Sequence, residues 1–209
     1  VKGPTTNSPA LRQASYSYDA AGNLINERRV IGASSEAVTT HQYDSYGNRI
    51  RTTDPEGRAT QVEYDSVFHT FPTRITNAKG QVTLRGYNPV GKIDQEIDPN
   101  GYSTRYVYDT FQRQIKAIRP YDSEALPTTE TEYALDGIAP EQVTVRKRDV
   151  VSGQPGTLDT VQVVDGFGKL VQTRSGAEQP GQEIVKDVFY DLWDRIARQS
   201  NPYFGSASG

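Results

Sequence analysis

A Tyr-Asp pair with Gly three residues after the Asp recurs along this chain, and a period of that length restricts the fold to an assembly of stacked units. The clearest copies are Tyr18-Asp19-Ala20-Ala21-Gly22 and Tyr43-Asp44-Ser45-Tyr46-Gly47. Looser copies follow at Tyr64-Asp65, Tyr87-Asn88-Pro89-Val90-Gly91, Tyr108-Asp109, Val164-Asp165-Gly166-Phe167-Gly168 and Tyr190-Asp191-Leu192-Trp193-Asp194. The first five tyrosines are 25, 21, 23 and 21 residues apart. The period then stretches to 25, 31 and 26 residues at Tyr133, Val164 and Tyr190, through inserted loops.

The unit has a physical reading. Residues 81–87 and 92–97 alternate with period two: Val82 and Leu84 against Thr83 and Arg85, then Ile93 and Ile97 against Asp94 and Glu96. That alternation is the strand signature. Between them Asn88 opens a turn with its side chain, Pro89 fixes φ, and Gly91 takes the positive-φ place. A second turn alternates with the first, at Asp54-Pro55-Glu56-Gly57, Asn77-Ala78-Lys79-Gly80 and Asp98-Pro99-Asn100-Gly101. Two turns per period of about 22 residues leave strands of about six residues, the usual length. The expected fold is all-β, an antiparallel meander of hairpins, cleanest over residues 41–119.

The same pass divides the chain into residues 1–14, an irregular lead-in or linker, residues 15–204, the repeat sheet, and residues 205–209, a flexible tail. Irregular insertions are expected near 120–127, 149–159 and 175–183. Asp136-Gly137 reads as a turn, and residues 123–126 as one helical turn at most.

Composition agrees with a sheet that is dry on little of its surface. Only 34% of the 209 residues are apolar, and 13 are Tyr against 6 Phe and 1 Trp. Tyr carries a polar tip on an apolar body, which suits a half-wet face. Disorder goes with high net charge and few aromatics, whereas this chain has a formal charge of -3 and 10% aromatics. The scattered charges argue against a nucleic-acid footprint. No apolar run approaches the length of a membrane helix. Without Cys, disulfides and thiolate metal sites are excluded. The first residue, Val1, and the lack of Met suggest a piece of a longer protein.

The unit Tyr43-Asp44-Ser45-Tyr46-Gly47-Asn48-Arg49-Ile50, followed by Asp54-Pro55-Glu56-Gly57-Arg58-Ala59-Thr60, resembles the Rhs/YD-repeat family. Residues 164–173 and 190–195 resemble the shell-forming component of bacterial insecticidal toxin complexes, the Tc toxins. The resemblance implies a curved sheet or arc of a β-shell. It further implies a structural, non-enzymatic role: encapsulating a toxin effector in a secreted, extracellular bacterial protein. Implied partners are other segments of the parent shell, the enclosed effector and other toxin-complex subunits. The alternative is a cell-surface module that binds carbohydrate or protein.

The residues themselves nominate no catalytic, cofactor or metal site. His41 and His69 lie in different repeats, and neither neighbours a second ligand; both read as sheet or surface histidines. The Asp-rich turns have the oxygen chemistry of Ca²⁺ sites, but turn geometry already accounts for one Asp per loop. Trp193 reads as a packing anchor or an exposed contact, the former preferred. The tyrosine rows offer a glycan stacking surface, or cross-strand packing that closes each hairpin end.

Overall fold

The computed structural model describes residues 13–32, 35–135, 137, 141–149 and 156–206, and among them every regular element is a strand. The chain divides into two compact units, Val1–Ser103 and Thr104–Gly209. In the first, the strands are β1 (Ala14–Tyr18), β2 (Leu24–Gly32), β3 (Ser35–Tyr43), β4 (Arg49–Thr53), β5 (Ala59–Tyr64), β6 (Pro72–Thr76), β7 (Val82–Tyr87) and β8 (Ile93–Ile97). They pair antiparallel in sequence order. β9 (Ser103–Tyr108) starts at the boundary. The second unit continues with β10 (Gln114–Ile118), β11 (Thr129–Ala134), β12 (Glu141–Asp149), β13 (Gly156–Val164), β14 (Leu170–Gly176) and β15 (Gln182–Tyr190). These also pair in order, and β16 (Ile196–Gln199) and β17 (Tyr203–Ser206) both pair with β15. The all-β antiparallel meander read from the period is the fold observed.

The two turn types are one loop. Nine described loops, opened by Asp19, Asp44, Asp54, Asn77, Asn88, Asp98, Asp109, Asp165 and Asp191, share the same four hydrogen bonds. The opening residue's N–H donates to the carbonyl four residues on, and its own carbonyl accepts from the N–H three residues on. Its side-chain Oδ1 accepts the N–H groups two and four residues on, at 2.8–3.1 Å. Asp and Asn are the residues whose side chains reach these positions. The fourth residue of each loop has positive φ, supplied by Gly in seven loops and by Gln112 (φ 62°) and Asp194 (φ 64°) in the other two. The loop from Asp65 to Phe71 is two residues longer. There one carboxylate accepts four N–H groups, from Val67, Phe68, Thr70 and Phe71.

Little is dry. The buried apolar side chains among the described residues are Ile118, Val163, Val185 and Val188, all in the second unit. Stability therefore leans on ladders, loops and cross-strand pairs. Arg85 lies opposite Glu96 (2.8 Å) and Arg74 opposite Glu63 (3.4 Å) in the first unit, and Lys116 opposite Glu130 (3.5 Å) in the second.

Strands run further into the expected insertions than the period suggests. β12 and β13 pair from Glu141↔Val164 out to Asp149↔Gly156, so residues 156–159 are strand, tied by Arg146 Nε to Asp159 Oδ2 at 3.6 Å. β14 reaches Gly176 and β15 starts at Gln182, which shortens the loop expected over 175–183. Gly205 and Ser206, expected in the tail, belong to β17. Pro202 has no N–H for the ladder, so the last strand is interrupted, and Ser200 bridges the gap by exchanging bonds with the Asp187 backbone. Residues 123–126 form a tight reciprocal turn between Ser123 and Leu126 rather than a helical one. That loop is anchored by Asp122, which accepts from Thr128 Oγ1 (2.5 Å) and from Arg148. Most of the 1–14 lead-in, Asp136 of the Asp136-Gly137 turn, residues 150–155 of the 149–159 insertion, and residues 207–209 lie outside the described residues.

Two predictions follow from the loop. A Cβ on Gly91 would stand 2.7 Å from the Phe71 ring at φ +83°, whereas one on Gly101 (φ +84°) meets nothing within 4 Å. By denaturant unfolding, Gly91→Ala should lose about 3 kcal/mol and Gly101→Ala about 1 kcal/mol, while Gln112→Gly should gain up to about 1 kcal/mol. The second concerns acid. Backbone N–H donors hold the Asp98, Asp165 and Asp191 carboxyls below their ordinary value of 3.8, and the Arg58 side chain does the same for Asp54. A depressed folded pKa gives stability that is present above the unfolded value and lost as pH falls through the folded one. Thermal melts should be flat down to about pH 5 and fall below about pH 4. The double variant Asp54→Asn/Asp98→Asn, whose amide oxygens still accept, should fall less steeply.

Candidate functional site

The element that joins one repeat to the next is a bulge and a tyrosine. Before each Tyr-Asp loop the ladder slips by one residue, at Ser17/Tyr18, Gln42/Tyr43, Glu63/Tyr64, Gly86/Tyr87, Val163/Val164 and Phe189/Tyr190. The unmatched residue is the second after the loop, Ile25, Ile50, Thr73, Asp94, Val171 or Ala197 in turn. No slip occurs in the pairs that flank the Asp54 and Asn77 loops, Thr53↔Ala59 and Thr76↔Val82. A bulge disrupts the ladder beside it and re-aims the neighbouring groups. The carbonyl just before four of them, Ile25, Ile50, Thr73 and Val171, is then taken by the Tyr hydroxyl of a following repeat. Tyr43 donates to Leu24 O (3.0 Å), Tyr64 to Arg49 O (3.3 Å), Tyr87 to Pro72 O (2.9 Å) and Tyr190 to Leu170 O (3.0 Å). Tyr133 reaches Gln114 O at 3.5 Å, the same place. Val164 stands at the tyrosine position without a hydroxyl. The tyrosine thus latches neighbouring hairpins, rather than only closing its own.

Loop tips differ between the two edges. The third residue of the Tyr-Asp loops is an exposed ring at Tyr46, Phe111, Phe167 and Trp193, 63–88% exposed. The equivalent residue of the other loops is Glu56, Lys79 or Asn100. Three of the rings sit beside the basic residue two positions on: Arg113 by Phe111 (5.2 Å), Lys169 by Phe167 (5.6 Å) and Arg195 by Trp193 (5.3 Å). Trp193, expected as a packing anchor, is an exposed tip.

The histidines have sheet roles. His41 is buried in β3, where Nδ1 lies 3.1 Å from Oγ1 of its cross-strand partner Thr52; burial, helped by Arg49, pushes its pKa down. His69 stacks on Tyr46 with ring centroids 3.8 Å apart, and its carbonyl accepts from Asn48 Nδ2 at 2.6 Å. This docks the long Asp65 loop onto the preceding Tyr-Asp loop. Among the described residues no three His, Asp or Glu side chains converge as metal ligands. The Asp Oδ1 atoms of the turns are occupied by backbone N–H groups. The sequence carries the recurrence of Tyr but no sign of the bulge that gives its hydroxyl a partner.

Removing one latch leaves a carbonyl without its donor, which costs about 1 kcal/mol. Tyr87→Phe and Tyr43→Phe should each lose that amount in chemical denaturation, and Tyr46→Phe, at an exposed tip, should lose close to none.

The family model described as RHS Repeat matches residues 18–59, from the first Tyr-Asp loop through the second and the Asp54 loop to Ala59. No curated protein matches the chain. Among solved structures, the crystal structure of TcdB2-TccC3 is similar over 91% of this chain, with 15% identity and a TM-score of 0.65. The Photorhabdus luminescens Tc holotoxin pore carrying the TccC3-D651A mutation is similar over the same share, at 14% identity and a TM-score of 0.65. This chain spans 12% of the first of those chains and 11% of the second. The chain thus carries an RHS repeat at residues 18–59 within an all-β fold that resembles part of TcdB2-TccC3.

Proposed function

We propose that the chain is a structural, non-enzymatic segment of an RHS-type shell that encloses a toxic effector in a secreted bacterial toxin. The observation that carries this reading is the likeness over 91% of the chain to part of TcdB2-TccC3. The repeat joint supports it: latched hairpins extend a sheet by one identical step after another, which is what a wall requires. A wall needs no reactive group, and its chemistry is exclusion. Its partners are the other repeats of the same polypeptide, the enclosed effector, and the remaining subunits of a Tc-type complex. The site of action is outside the producing cell.

Limited proteolysis of the parent polypeptide, expressed with its natural flanking sequence, tests the reading. The C-terminal effector region should resist protease while the repeat sheet is intact and become sensitive once denaturant melts it. An effector region cleaved at the rate of the same region expressed alone would sink the proposal.

A further inference from the structure

An asparagine keeps its side-chain amide only while its Cγ is held away from the backbone nitrogen of the next residue. Most of the described asparagines are protected from that encounter. Asn23 Nδ2 donates to Asp19 Oδ2 (2.9 Å) and Asn26 Nδ2 to Ser17 Oγ (2.8 Å). Asn48 Nδ2 donates to Asp44 Oδ2 (3.0 Å) and to His69 O (2.6 Å), and Asn77 Nδ2 to Gln81 Oε1 (2.8 Å). Leu24, Glu27, Arg49 and Ala78 follow these four, so a Cβ crowds each neighbouring nitrogen. Asn88 and Asn201 precede Pro89 and Pro202, whose nitrogens carry no hydrogen to lose.

Asn100 lacks both protections. It is exposed at the third place of the Asp98 loop, and its Nδ2 reaches Asp98 Oδ2 only at 3.4 Å, longer than any of the ties above. Gly101 follows, and a Cβ built on it would meet nothing within 4 Å. The Gly101 N–H donates to Asp98 O at 3.0 Å, in an exposed loop where such a bond opens locally without unfolding the sheet. We propose that Asn100 is a spontaneous modification site, which deamidates through a cyclic imide with Gly101 and whose isoaspartyl product loosens the Asp98 loop. The Gly101 nitrogen gives its proton to hydroxide and attacks Asn100 Cγ. The new N–Cγ bond replaces the Cγ–Nδ2 bond, and Nδ2 leaves as ammonia. Water then opens the ring. Attack at Cγ yields Asp, and attack at the main-chain carbonyl carbon yields isoaspartate. The isoaspartyl form carries the main chain through Cβ and Cγ, which adds a methylene between the third and fourth loop residues. Gly101 N–H and Tyr102 N–H then no longer meet Asp98 O and Asp98 Oδ1 together. Both products place a second carboxylate beside that of Asp98. This chemistry is independent of the shell reading.

Peptide mapping of the full chain, aged in mildly alkaline buffer and sampled over time, tests the site. Asn100 should convert about tenfold faster than Asn23, Asn26, Asn48 or Asn77, giving Asp and isoaspartate that electron-transfer fragmentation tells apart. Gly101→Ala should slow the conversion about tenfold, because its Cβ shields the nitrogen. The rate should rise with pH, since the attacking nitrogen must be deprotonated. The isoaspartyl chain, separated by anion exchange, should unfold at lower denaturant than Asn100→Asp, which has the charge without the altered linkage. An Asn100 left intact in the folded chain, or one converted no faster than the tied asparagines, would overturn the site. An isoaspartyl chain as stable as Asn100→Asp would overturn the loosening.

Discussion

Nine of the described loops each hang on one carboxamide or carboxylate oxygen. By accepting two backbone N–H groups, it closes a five-residue reversal without help from a core. With few buried apolar side chains, a hairpin that relied on packing at its ends would have little to hold it. Locally satisfied loops remove that requirement. They also explain a surface so rich in charge: the ladder and loop bonds specify the register, and cross-strand pairs such as Arg85–Glu96 reinforce it.

The same loop serves both edges, yet the edges are not equivalent. The slip ahead of each Tyr-Asp loop marks one edge as the place where repeats are joined. There the hydroxyl of one repeat completes the hydrogen bonding of the previous one. The long Asp65 loop adds rings to the joint: Phe71 stacks on Tyr87 with centroids 5.0 Å apart and leaves Gly91 no room for a side chain. The opposite edge has polar tips, and its ladder runs without a slip into the Asp54 and Asn77 loops.

Period-two alternation around Asn88 located β7 and β8 within a residue of their ends, because turn residues and strand residues differ in chemistry. The identity of the two turn types was hidden by Pro55 and Pro99, which change the appearance of the loop but occupy a position whose N–H it does not use. The bulges at Ile25 and Ile50 were invisible, since an unmatched residue is defined by pairing across strands and leaves no local mark. For the same reason the contact of Arg113 with the Tyr133 ring could not be read: the two are far apart in sequence and meet only through the pairing of β10 with β11. The lengthened β12–β13 hairpin was read as a loop because Gly156 and Asp159 carry low strand propensity, which pairing with Arg146–Asp149 overrides.

The latch has a reach of one repeat. Tyr43 to Leu24 spans 19 positions and Tyr190 to Leu170 spans 20, and the Arg148–Asp122 clamp spans 26. Contacts this short in sequence form early and without long loop closure. A ribosome making such a protein can therefore leave finished structure behind it at every step: each hairpin is complete once the next tyrosine emerges. Length then becomes a quantity that gene duplication can change by whole repeats, because no contact described at the joint has to be renegotiated when another is added.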